Sequence, residues 1–150
     1  MKGSLRRKAN DNADHLVPLS TYAVDVLKAL NTVSGGGPLA FPSLRHSHRP
    51  MSENAIGYLL NRIGYHGRHV PHGWRAAFST LMNEWAKTNG RSDDREVIDL
   101  MLAHTQPNKV EGAYNRAAYM LRRRVLAQTW GEMLMRGLPG PAELVGLARR

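Results

Sequence analysis

At 150 residues the chain suits a single domain with a real core, and an apolar fraction of 42% separates it from disordered sequences. Zero cysteines exclude disulfides, thiolate metal centres and cysteine nucleophiles. A net charge of +9, with no apolar run near the length of a membrane span and no apolar block behind the basic N-terminal residues, points to a soluble, cytoplasmic protein with a polyanionic partner, nucleic acid ahead of anionic membrane.

Residues 1–13 are polar and basic and end in Asn10-Asp11-Asn12-Ala13, which reads as a strand end and an exposed turn. His15-Leu16-Val17-Pro18-Leu19 reads as a short strand, with Pro18 at an end or a sheet edge because it cannot donate to a ladder. Ser20 caps a predicted helix whose apolar residues Leu19, Tyr22, Ala23, Val26, Leu27 and Leu30 follow the helical period, and Ser34-Gly35-Gly36-Gly37-Pro38 ends it. The loop from Phe41 to Pro50 carries Arg45, His46, His48 and Arg49. Ser52 is read as the cap of a second helix, with Ile56, Leu59, Leu60 and Ile63 as its buried stripe and Gly64 closing it.

From Trp74 a longer helix is predicted to Thr88, with Trp74, Ala77, Phe78, Leu81, Met82 and Trp85 on one face. Asp93 and Glu96 have capping-box spacing before a helix that buries Val97, Ile98, Met101 and Leu102 and ends near His104. The last long helix is expected over about residues 116–136, with Tyr119, Val125, Leu126, Trp130, Met133 and Leu134 inward. Leu138-Pro139-Gly140-Pro141 then separates a short tail. The expected fold class is therefore mainly α (α+β), with a small N-terminal β-hairpin. A lone hairpin is marginal in water, so the strand has too few partners and the chain reads as cut on its N-terminal side.

The chemistry concentrates between Pro71 and Asn115. His72 and Arg75, three apart at a helix start, can face one side of the first turn, where free N–H groups also favour an anion. With His104 they can hold a phosphate, since the arginine fork binds two oxygens and stays charged. Tyr114, ten positions after His104, can attack that phosphate and conserve bond energy in a covalent link. Its hydroxyl has a pKa of about 10 and needs a base or a strongly positive site. Tyr119 competes as nucleophile but falls in phase with the inner face of the last helix. His66, His69 and His72 form an H-x-x-H-x-x-H spacing, yet Gly67 and Pro71 disfavour a helical array and no carboxylate lies among them, so no metal is assigned. Arg45 to Arg49 and Arg122-Arg123-Arg124 read as phosphate contacts or solvated faces, the solvated face being favoured for the second.

Taken together, His15-Leu16-Val17-Pro18-Leu19-Ser20, Phe41-Pro42-Ser43, Arg49-Pro50-Met51-Ser52-Glu53-Asn54, His72-Gly73-Trp74-Arg75, Leu102-Ala103-His104 and Ala113-Tyr114-Asn115-Arg116 resemble the tyrosine recombinase (phage integrase) family, especially integrases of prophages and genomic islands. The motifs occur in the family's order across most of the chain. The resemblance implies site-specific recombination of double-stranded DNA without a cofactor, through a 3′-phosphotyrosine intermediate and a homo-oligomeric (tetrameric) synapse. It implies Tyr114 as nucleophile, Arg75 as the second clamp arginine, His72 as a proton-transfer or clamp residue and His104 as a phosphate contact. Lys2 matches the hairpin lysine that protonates the leaving oxygen, with Lys8 close by in the same turn. Arg45, Arg49 and Arg116 are candidate DNA contacts. The family's other clamp arginine and its N-terminal DNA-binding domains find no match before Lys2. The expectation is therefore a partial catalytic domain over residues 1–137, a possible trans-docking tail over 138–150, and little activity from the chain alone. The competing reading is a non-catalytic basic DNA-binding or recombinase-interacting remnant.

Overall fold

The computed structural model describes residues 16–103 and 119–147. In chain order the helices are α1 (Thr21–Ser34), α2 (Ala55–Leu60, continued by a wider π-type turn over Asn61–Tyr65), α3 (Gly73–Thr88), α4 (Asp94–Met101), α5 (Met120–Met135) and α6 (Pro141–Leu147). α5 is the hub: α1, α3 and α4 all pack on it, α3 and α4 pack on each other, and α6 lies on α1. None of the described helices is long and apolar enough to cross a membrane.

The core lies where α3, α4 and α5 meet. Phe78, Met82 and Ala86 from α3, Val97, Ile98 and Leu102 from α4 and Leu126 from α5 form one buried cluster, with Trp85, Met101, Trp130 and Met133 against its edge. Phe78 and Trp130 meet edge to face, with ring centroids 5.4 Å apart. Met82, Ile98 and Leu126 are the largest fully buried side chains, each worth about 1.5–3 kcal/mol of apolar transfer.

Local chemistry explains most helix ends. Ser20 accepts the amide of Ala23 at 3.2 Å and caps α1 as its position predicts. α3 stops in a Schellman arrangement: Gly90 is left-handed at φ 66°, Arg91 N–H reaches Ala86 O at 2.8 Å, and Gly90 N–H reaches Lys87 O at 3.2 Å. Gly131 is set by tertiary packing instead. A Cβ there would stand 2.6 Å from Ser20 Oγ, so the glycine lets the capped start of α1 close onto α5. Thr21 N–H donates to Gln128 Oε1 at 2.9 Å beside that contact.

Several expectations need correction. No strand occurs among the described residues. Residues 16–20 are irregular, and the Leu16 carbonyl accepts a hydrogen bond from the Arg123 guanidinium rather than from a neighbouring strand. The hairpin expected over residues 1–13, and His15, lie outside the described residues. α2 begins at Ala55 with Asn54, not Ser52, as its cap residue. Its stripe is not buried: Ile56, Leu59 and Ile63 are each about half exposed and only Leu60 is covered. The reason is that α2 packs on no other described helix, only on its own continuing turn. Gly64, at φ 93°, does close that segment. Trp74 and Leu81 on α3, Val125 and Leu134 on α5, and Tyr119 at its start are likewise well exposed. Residues 141–147 of the tail form α6, which lies on α1, and this does not test the trans-docking expectation.

The capping box before α4 does not form. Asp93 is helical at φ −67°, ψ −18° and makes no side-chain cap bond. Its neighbour Asp94 is buried and takes a two-pronged bond from Arg122, whose Nε lies 2.6 Å from Oδ1 while an Nη donates to Oδ2. That hydrogen bond outweighs desolvation and raises the Arg122 pKa above its ordinary value. A raised arginine pKa contributes stability that is fully present below the unfolded-state value and is lost only as pH climbs past the folded one. Arg123 is also buried rather than solvated, and that burial lowers its pKa. Two of the three arginines in the run thus fasten α5 to its neighbours. Arg122→Ala strands a buried carboxylate and should destabilise the fold by about 3 kcal/mol, whereas Asp94→Leu with Arg122→Leu should cost clearly less. Urea titrations of the singles and the double measure this; a double at least as damaging as the sum of the singles would contradict it.

Candidate phosphate-binding site at the start of helix α3

His72 and Arg75 sit on one turn. His72 is the residue at the head of α3, already helical at φ −66°, ψ −23°, and Arg75 N–H bonds to its carbonyl at 3.1 Å. Both side chains are exposed. The spacing expectation therefore holds for the backbone. The free amides expected there are not free, however. Gly73, Trp74 and Arg75 N–H bond to the carbonyls of Val70, Pro71 and His72 at 2.8, 3.4 and 3.1 Å. Chain entry through these tight turns consumes the donors that an anion would use. Anion binding at this point falls to the side chains.

Gly73 and His69 set the approach of that turn. The His69 ring meets Trp74 edge to face at 4.6 Å between centroids, and a Cβ on Gly73 would stand 2.8 Å from His69 Cε1. Glycine lets the histidine close over the first turn of α3. The His69 Nε2 is buried without a hydrogen-bond partner. Among the described residues no group of three metal-ligand side chains assembles.

Arg75 is tied to α4. Its guanidinium donates to the Leu102 carbonyl, across 27 positions of sequence, at the last residue of the α4 end. One of five guanidinium donors is used in that bond, leaving the others able to face two oxygens of a phosphate. Ala103 follows in the left-handed region at φ 53°, its N–H on Leu100 O at 3.0 Å. That conformation costs a non-glycine residue about 1 kcal/mol. Tyr119, at φ 62°, repeats it at the head of α5. The stretch that carries His104 and Tyr114 is thus bounded at both ends by left-handed non-glycine residues. The Asp94–Arg122 pair fastens the helices that bound it.

The structure accordingly joins Arg75 to the carbonyl end of α4, two residues before His104, with His72 one turn earlier at the head of α3. His104, Tyr114, Arg116 and Lys2 themselves lie outside the described residues. Arg45 and Arg49 are exposed on the 41–51 loop. Sequence reasoning missed the anchoring role of Asp94, Arg122 and Arg123. Their helical phase carried a signal, because Asp94 precedes Val97 and Ile98 by three and four positions, and Arg123 stands likewise to Leu126 and Ala127.

Comparison with known proteins points the same way. The chain is 36% identical to prophage integrase IntA of Escherichia coli (strain K12) over 138 residues, which is 92% of this chain and 32% of that protein. It is 40% identical to prophage integrase IntZ of the same strain over 120 residues, 80% of this chain and 28% of that protein. Against the integrase of Shigella phage Sf6 it is 32% identical over 123 residues, 80% of this chain and 30% of that protein. The chain spans about a third of the length of the curated relatives it matches. No protein-family profile and no solved structure matches it.

Proposed function

This chain belongs to the phage and prophage integrase family, and on that footing we propose that it carries the phosphate clamp and the nucleophile with which such an enzyme breaks and rejoins DNA at a specific site. The observation that supports this most is the Arg75–Leu102 bond, which ties the H-x-x-R turn to the end of α4, two residues before His104 in the sequence. Fixing the guanidinium in advance means that little reorganisation is needed as negative charge grows on the phosphate oxygens.

In the proposed reaction Tyr114 Oη attacks the scissile phosphorus. The phosphorus–O5′ bond breaks as the phosphorus–tyrosine bond forms, giving a 3′-phosphotyrosine link and a 5′-hydroxyl. Arg75, His72 and His104 hold the non-bridging oxygens, and His72 takes the tyrosine proton. Lys2 protonates the leaving oxygen. Attack by a 5′-hydroxyl from the partner duplex reverses the step and restores the phosphodiester. Arg45, Arg49 and Arg116 contact DNA phosphates, and the protein works as a homo-oligomer on the paired sites.

Residues 1–150 tested alone are expected to give little cleavage. Incubation with a suicide duplex, whose 5′-hydroxyl fragment diffuses away after cleavage, should yield at most a trace of covalent adduct. A robust adduct lost in Tyr114→Phe would overturn that low activity. An adduct retained in Tyr114→Phe would overturn the nucleophile.

A further inference from the structure

The loop between α1 and α2 is built as a projecting basic unit. Its base is closed by an antiparallel bridge between Pro42 and Pro50. Ser43 N–H bonds to Arg49 O at 2.7 Å, Met51 N–H to Phe41 O at 3.1 Å, and Arg49 N–H to His46 O at 3.0 Å. Two prolines and three backbone bonds hold seven residues in one shape. On that shape stand Arg45, His46, His48 and Arg49, all exposed, with the two imidazoles 5.9 Å apart.

Among the described residues no ion pair is seen on this cluster. Between Asp25 and Glu53 the sequence holds no acidic residue. The ion pairs Lys28–Asp25 and Arg122–Asp94 do not involve the loop. Cations held together on a closed loop without a carboxylate repel one another, and an external anion relieves the repulsion. Beside them Leu44 has a relative exposure of 107%, the highest of the exposed large apolar side chains. The apolar side chain and the two guanidinium groups are thus all exposed on one closed loop.

We propose that residues 43–49 grip duplex DNA apart from the phosphate-transfer residues, with Arg45 and Arg49 on backbone phosphates and Leu44 inserted between base steps in the minor groove. This rests on the chain's acting on duplex DNA. The chemistry fits that one partner: guanidinium groups bind backbone phosphates, and an apolar wedge entering the minor groove beside them unstacks a step and bends the helix. A fixed loop spends little entropy on insertion.

The test measures binding of the whole chain to a mixed-sequence duplex over a range of salt, with 2-aminopurine in place of adenines to report unstacking. For the wild type, affinity falls with salt and fluorescence rises on binding. Arg45→Ala with Arg49→Ala should flatten the slope of log affinity against log salt by about 1.8, or roughly 0.9 for each lost phosphate contact. Leu44→Ala should keep the wild-type slope, lose about tenfold in affinity and abolish the fluorescence rise. All three positions are exposed, so unchanged melting temperatures accompany these effects. An unchanged slope in the double arginine variant would overturn the loop's role, and wild-type binding without a fluorescence rise would overturn insertion. Absence of salt-dependent binding by the wild type would instead remove duplex DNA as the partner, and the function proposed above with it.

Discussion

Arg75→Ala should slow phosphotyrosine formation by about two to three orders of magnitude when the chain is grafted in place of the matching segment of a full-length prophage integrase. The guanidinium serves two directions at once. One donor holds the Leu102 carbonyl, and the proposed clamp uses the rest of the fork for the phosphate oxygens. Alanine removes both. Arg75→Lys keeps the positive charge but not the planar fork, so it should recover only a small part of the rate. The side chain is exposed, and the melting temperature should move little in either variant. Single-turnover cleavage of a suicide duplex measures the effect. A lysine variant as fast as wild type would show that charge alone matters there, and that the Leu102 contact is incidental.

The contact also shows how far the site can be traced in the amino-acid sequence. H-x-x-R spacing at a helix start places His72 and Arg75 on one turn, because backbone geometry alone decides that. What it cannot give is a partner 27 positions away, since Arg75 meets Leu102 only after α3 and α4 have packed. Nor does a helix start guarantee free amides. Val70, Pro71 and His72 supply carbonyls that occupy three of them.

The same division runs through the fold. Ser20 and α1 were legible because a cap is a local event, and the inward faces around Ile98 and Leu126 because their apolar period coincides with real neighbours. For α2 the period named a face, but Ile56, Leu59 and Ile63 remain about half exposed because no described helix arrives to cover them. The Asp93–Glu96 pattern failed for a competing reason. Asp93 is already helical, and the buried carboxylate next to it is claimed by Arg122. A run of three arginines looks solvated by composition, yet Arg123 is buried at 3% exposure against the Leu16 carbonyl. Charge type set that expectation, whereas helical phase sets the outcome. Tyr119 was assigned inward by phase alone, but its left-handed backbone at φ 62° turns it out of register with α5 and leaves it accessible.

That exposure makes Tyr119 the proper control for the central claim, which is that Tyr114 is the nucleophile served by the Arg75 clamp. In the grafted integrase the measurement is the yield of covalent protein–DNA adduct on a suicide duplex, compared for wild type, Tyr114→Phe and Tyr119→Phe. The account predicts that Tyr114→Phe abolishes the adduct while Tyr119→Phe forms it at close to the wild-type level. Adduct persisting in Tyr114→Phe and vanishing in Tyr119→Phe would contradict it.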